Sequence, residues 1–364
     1  MLVMALLAAP ASGQTGGSNS PYSRFGLGTL ADQSQGFNRS MGGVGIALHQ
    51  GNRVNMLNPA SYASTDSLSF ILDAGMTLSA GQVENAHTSI NVKNCRLDYV
   101  NAALRLRRGL GLSFGFVPYS TIGYSFQNER LVTNDETTTQ PIRTITTYAG
   151  EGGLHQAYIG LGWRPVGNLS IGVNASFMWG NYHHAMAQTF TEGTSSGSGY
   201  SGLNSVHDAD LKTYKLDFGA QYPIRLSAAD WLTMGVTAGL GHKIKSDATL
   251  TRYTSAGDST QVTAHSPFDL PYSYGGGLAW QHKNTLLVAA DYKIEQWADC
   301  RTPHSSTAGG ELTYTGAKGE YLNRSRVAVG AQYTPDPTDR HYARRMQYRV
   351  GANYSTPYLR VNGA

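Results

Sequence analysis

From Ser67 almost to the C-terminus, apolar and polar residues alternate with a period of two. That period marks strands with one apolar and one polar face. In the first segment Leu68, Phe70, Leu72, Ala74, Met76 and Leu78 share a face, opposite Ser69, Asp73, Thr77 and Ser79. In the second, Val100, Ala102, Leu104 and Leu106 stand opposite Asn101, Arg105 and Arg107. The pattern returns at 171–179, 214–222 and 348–354. A β-sandwich alternates too, so the connections decide between the two folds. Tight links at 107–109, 165–168, 227–230 and 282–284 take turns with long polar stretches at 82–94, 128–141, 191–208, 255–266 and 299–319. Short turns at one end and long loops at the other are the plan of an outer-membrane barrel. The predicted fold is therefore all-β, a transmembrane antiparallel β-barrel with about eleven strands, several of them long enough to project above the bilayer.

Single-chain bacterial barrels have even strand numbers. An odd count and a weak final segment, Arg360 to Ala364, predict that closing strands are missing from the chain. Aromatics near strand ends (Tyr182, Trp231, Tyr272, Tyr274, Trp297, Tyr358) are expected to form the interfacial girdles.

Composition sharpens this picture. The 364 residues hold 43 glycines and 22 tyrosines, and only 14% are charged. Abundant aromatics and a net charge of +4 exclude a disordered chain. No apolar run approaches the ~18 residues of a spanning helix. The positive charge is spread over the chain without a basic cluster, so no nucleic-acid partner is expected.

Residues 1–13 read as a secretory signal peptide: a short apolar run, then Pro10, Ala11, Ser12 and Gly13, with the basic n-region lacking. Residues 14–66 do not alternate. They carry Ser20 to Gly28, the stretch Arg39-Ser40-Met41-Gly42-Gly43-Val44-Gly45-Ile46-Ala47, and Asn58-Pro59-Ala60. Glycines permit tight backbone paths and Asn-Pro favours a turn. The simplest place for such a segment is the lumen, as a plug, with residues 67–364 forming the barrel.

A glycine-rich stretch followed by Asn-Pro-Ala just before the first strand resembles the N-terminal hatch of the long-chain fatty acid transporter (FadL-type) outer-membrane family. The resemblance is clearest in the hatch. It implies about fourteen strands in the full barrel, and passive uptake of hydrophobic small molecules such as long-chain fatty acids. It also implies lateral release into membrane lipid through a kinked third strand, in the outer membrane of a Gram-negative bacterium. Gly42, Gly43, Asn58, Pro59 and Ala60 are then the plug and substrate-path residues. Gly115, Pro118 and Tyr119, midway along the third strand, are the lateral-gate candidates. Proline gives no donor to the ladder, so Pro118 predicts a gap between neighbouring strands, and a β-branched residue there is expected to restore a ladder bond. The alternative for Pro118 is a bulge at the barrel rim. The alternative function is a non-transporting subunit or shuttle of an outer-membrane secretion or assembly complex, with protein partners.

Enzyme signatures fail on context. Gly111 to Gly115 fits G-x-S-x-G, but that elbow needs a strand-to-helix turn and strand follows here. Gly42 to Gly45 lacks the following Lys-Ser/Thr of a phosphate loop. His183 and His184 point to opposite faces of a strand and cannot share a metal. No catalytic residue, metal or cofactor is expected. Cys95 and Cys300 fit no zinc spacing; a disulfide between extracellular loops and two free thiols both remain open.

Overall fold

The computed structural model describes residues 20–67, 70–85, 88–132, 142–191, 202–255, 257–309, 311–336 and 339–360. The leader assignment, residues 1–13, lies outside them. Strand β1 (Thr29–Leu30) belongs to the N-terminal segment. There follow β2 (Phe70–Asn85), β3 (Thr88–Arg107), β4 (Leu110–Pro118), β5 (Ser120–Val132), β6 (Ile142–Val166), β7 (Leu169–Thr191) and β8 (Leu203–Arg225). Next come β9 (Asp230–Gly239), β10 (His242–Ile244), β11 (Ala248–Thr254), β12 (Ser259–Ala264), β13 (Phe268–Leu270), β14 (Ser273–His282) and β15 (Leu286–Glu295). The last are β16 (Thr302–Ala308), β17 (Glu311–Ala317), β18 (Arg324–Tyr333) and β19 (Tyr348–Ser355).

Eleven of these hydrogen-bond side by side in the order β2-β3-β4-β6-β7-β8-β9-β14-β15-β18-β19. Their outward faces are apolar and exposed: Phe70, Leu72, Phe114, Ile159, Phe177, Phe218, Val236, Val288 and Val350 lie on this surface. Their inward faces bury Asn101, Ser113, Gln156, Asn174 and Gln221. Apolar outside and polar inside is the inverse of a soluble fold, and it suits a wall with lipid on one side. The alternation read along the chain therefore carries through to the barrel wall.

The sheet rolls around the N-terminal segment. Residues 39–65 reach all eleven strands. Arg39 bonds Thr77 of β2 and Asp98 of β3, and Tyr62 packs on Gly111 of β4. Pro59 lies on Gly162, Gly172 and Gly219 of β6, β7 and β8. Ile46 lies on Gly235 and Gly277 of β9 and β14, and its N–H donates to Asp291 of β15. Met41 lies on Gly330 and Gly351 of β18 and β19. A side chain at Gly172 or Gly351 would collide with that backbone, so close approach explains many of the glycines. Between β2 and β19, the two ends of the sheet, no ladder is formed among the described residues. Arg39 and Met41 stand on either side of that seam.

The long connections differ from expectation. Residues 82–85 and 88–91 are paired strand, with Gln82 opposite Asn91 and Asn85 opposite Thr88. The stretch 255–266 contributes β12, paired with β11, and 299–319 contains the hairpin strands β16 and β17. Strands with polar residues at both parities look like loop in sequence. β6, β7 and β8 run 25, 23 and 23 residues, well beyond the 9–11 of a tilted spanning strand. Three proposed girdle residues, Tyr182, Trp297 and Tyr358, are instead buried in an aromatic core beneath the hairpins, whereas Trp231, Tyr272 and Tyr274 are exposed. Cys95 and Cys300 are both free, the first exposed and the second buried.

Candidate functional site

The third strand of the wall breaks after Pro118. Up to Phe116, which faces Val100, it pairs with β3 on one side and β6 on the other. Beyond the break β3 pairs only with β2, while among the wall strands β5 pairs only with β6. The wall is thus split between β3 and β5. Against β6, Pro118 stands opposite His155 and Ile122 opposite Gly152, so four steps on one strand meet three on the other. That mismatch is a bulge. Gly152 and Gly153 take it up at φ 123 and 124, a region that disfavours other residues. Two adjacent glycines inside an alternating segment were a readable signal for it. Gly115 sits just below the break, where a side chain would strike Asn101 and Val100 of β3.

The orphaned edge of β5 is taken by the N-terminal segment. Leu30 of β1 pairs with Ser120 and Thr29 with Thr121. Ala31 N–H donates to the Tyr119 carbonyl at 2.9 Å, and Gln33 Nε2 to the Pro118 carbonyl at 2.9 Å. Gln33 Oε1 in turn accepts from Gln156 Nε2 of β6 at 2.6 Å. In an extended strand a residue's N–H and C=O share one edge, so the nitrogen of Pro118 lies on the side that β3 has left. A residue with an N–H would leave a donor facing the split; proline has none.

Behind β1 lies a cavity of about 90 Å³. Leu30, Ile46, Leu57 and Tyr119 give it an apolar side, and Lys215, Lys293, Glu295, Arg324 and Arg326 a charged one. Those charges are compensated: Lys293 meets Glu295 at 2.9 Å, Arg324 meets Glu295 at 3.5 Å, Arg326 meets Asp32 at 3.3 Å, and Lys215 is paired with Asp217. Asp291 accepts from the N–H groups of Gly45 and Ile46, at 2.5 and 2.8 Å, and so fixes the glycine-rich stretch to the wall.

The sequence-selected residues fall into two groups. Gly43 and Tyr119 border this cavity. Gly42 instead packs at Ala352 and Val329, with φ 73. Asn58, Pro59 and Ala60 form the start of a buried 3-10 turn, Pro59–Ser64, whose N-cap Asn58 accepts from Ala60 N–H at 3.0 Å. Asn58 Nδ2 also donates to the Ile46 carbonyl at 2.7 Å. These three hold the enclosed segment in shape against β6, β7 and β8. Ser113, the serine of the G-x-S-x-G match, lies inside β4 and donates to the Ala102 carbonyl at 2.9 Å. His183 faces out to Asp208 and His184 inward to Tyr124.

Above the cavity, Phe268 of β13, Tyr314 of β17, Trp297, Tyr321 and Tyr358 pack with Tyr124 and Tyr182 of the wall. Tyr358 Oη donates to the Gly28 carbonyl, tying this cap to the turn before β1. Burial pushes the Cys300 thiol in it up to about 12.

Known structures share this fold. The toluene transporter TodX of Pseudomonas putida matches with a TM-score of 0.52 at 15% identity, over 88% of this chain and 82% of that one. The toluene transporter TbuX of Ralstonia pickettii gives 0.53 at 15%, over 88% and 85%. A FadL homologue of Pseudomonas aeruginosa gives 0.57 at 11%, over 91% and 82%. The FadL-type resemblance thus holds for the architecture. No curated protein matches the chain. The family model that does match is BamG, and because it covers residues 1–364, the whole sequence, this protein belongs to the BamG family.

Proposed function

We propose that this protein sits in the outer membrane, with residues 20–66 as a luminal plug, and passes small hydrophobic compounds between lumen and bilayer through the split at Pro118. The observation that carries this reading is a wall opened between β3 and β5 and covered by β1 and its neighbours in the N-terminal segment, with a cavity directly behind. In lipid an unpaired edge costs several kcal/mol per orphaned group, so a permanent break supports use. Two neighbours in fold are toluene transporters. A cavity of about 90 Å³ favours a ligand no larger than one ring; even benzene is documented in a pocket of ~150 Å³. A long acyl chain requires the plug to shift further. β1 is then the latch, and release means its departure from the β5 edge.

A second reading has its own support. The lumen is filled by plug and cap, and every cavity charge named above has a partner, which suits a barrel that serves other proteins and carries no ligand. Purification in mild detergent separates the two. The transport reading expects hydrophobic molecules in solvent extracts and saturable binding of toluene. Stoichiometric partner proteins with no toluene binding would replace it with the second reading.

A further inference from the structure

The charges of the chain are sorted by end. Arg105, Arg107 and Arg108 stand at the β3–β4 turn, Arg164 at the next turn, and Arg225 at the β8–β9 turn. Lys283 follows at the β14–β15 turn, and Arg340, Arg344 and Arg345 in the β18–β19 connection. Arg53 and Arg349 lie inside the same mouth, bonded to Gln347. These eleven are drawn from a total of 28 basic residues, whereas only Asp66, Asp73, Asp230, Asp336 and Asp339 of 24 acidic ones belong to this end. The remainder of the chain has 17 basic against 19 acidic residues. A net charge of +4 that looks diluted in sequence is therefore concentrated at the short-turn end.

Several of these cations rest on neutral partners. Arg53 Nη2 donates to Gln347 Oε1 at 2.5 Å, Arg164 Nη2 lies 2.8 Å from His49 Nε2, and Arg349 Nε donates to Gln332 Oε1 at 2.8 Å. Arg344 is paired with Asp339 at 2.9 Å and Asp73 lies near Arg53, so the cations at this end are compensated only in part. Within the mouth is a recess of about 310 Å³ lined by Arg53 and the amides of Asn52, Gln281, Asn284, Gln332 and Gln347. Amides both donate and accept, as a peptide backbone requires, and guanidinium groups bind carboxylates in a fork.

We infer that the short-turn end is a docking surface for an acidic polypeptide, taken into the recess beside Arg53 and steered there by the surrounding arginines. This surface does not depend on the transport reading. The alternative anion, phospholipid headgroups, lies outside the wall and does not reach a recess inside the mouth. Steering by such a field raises the on-rate and falls with salt.

The test uses the intact barrel in zwitterionic detergent and fluorescence anisotropy with a labelled Glu/Ser peptide and a Lys/Ser peptide of equal length. The acidic peptide should bind, more weakly as salt rises, and the basic one should not. Arg107→Gln with Arg108→Gln and Arg345→Gln, all exposed positions, should weaken binding at least about tenfold. Arg53→Gln should weaken it as well, whereas Lys243→Gln with Lys245→Gln at the opposite end should not. Heat-modifiable mobility on gels confirms folding of each variant. No binding, equal losses from both ends, or capture of phosphatidylglycerol vesicles without capture of the acidic peptide would overturn the inference.

Discussion

Pro118 does its work through what it lacks. Sequence reasoning expects a β-branched replacement to restore a ladder bond, but β3 has already turned away and the nitrogen faces the split. Pro118→Ala should therefore add an orphaned donor and destabilise the barrel by about 1–3 kcal/mol in urea unfolding; a gain in stability would mean that the new N–H finds an acceptor and the wall can close. Cysteine chemistry offers a second check at this scale. Cys95 is exposed, whereas Cys300 is buried with its thiol pushed up to about 12, so little of it is thiolate near neutral pH. Maleimide at pH 7 should label Cys95 and spare Cys300 until the protein is unfolded; equal labelling of the native protein would contradict the packed cap. The role of Asn58, Pro59 and Ala60 was legible only as a turn. That they brace the N-terminal segment against three strands depends on Gly162, Gly172 and Gly219, which are scattered in sequence and meet only in the rolled sheet.

At the scale of elements, the wall strands were readable because each carries a strict apolar face toward lipid and a polar one toward the lumen. The cap was not. Hairpins β11–β12 and β16–β17 stand in water on one side and pack on the other through a few aromatics, so their period is lost among Ser, Thr and Gly. Trp297 and Tyr358 were misplaced for the same reason: an aromatic near a strand end serves a girdle or a core equally well. β1 is two residues long, and nothing in Thr29–Leu30 announces an edge partner about ninety positions away. Its importance shows in the plug as a unit. Deleting residues 14–65 should leave a barrel that inserts but admits small polar solutes, because Asn101, Gln156, Asn174 and Gln221 would then line water. Antibiotic permeability no higher than with the intact protein would count against a luminal plug.

On the scale of the whole molecule, the split wall, the N-terminal segment and the cap form one connected arrangement. Tyr358 of the cap holds Gly28, the next residue begins β1, and β1 covers the break at Pro118. The central claim is that β1 must leave the β5 edge for a hydrophobic compound to pass. Leu30 and Ser120 lie directly opposite one another in an antiparallel pair, a spacing within reach of a disulfide. The most direct measurement is uptake of a monoaromatic probe by proteoliposomes carrying Leu30→Cys with Ser120→Cys, in a Cys95→Ser background. Uptake should fall to background when the pair is oxidised and return on reduction with dithiothreitol. Undiminished uptake by the fully crosslinked protein would contradict the account.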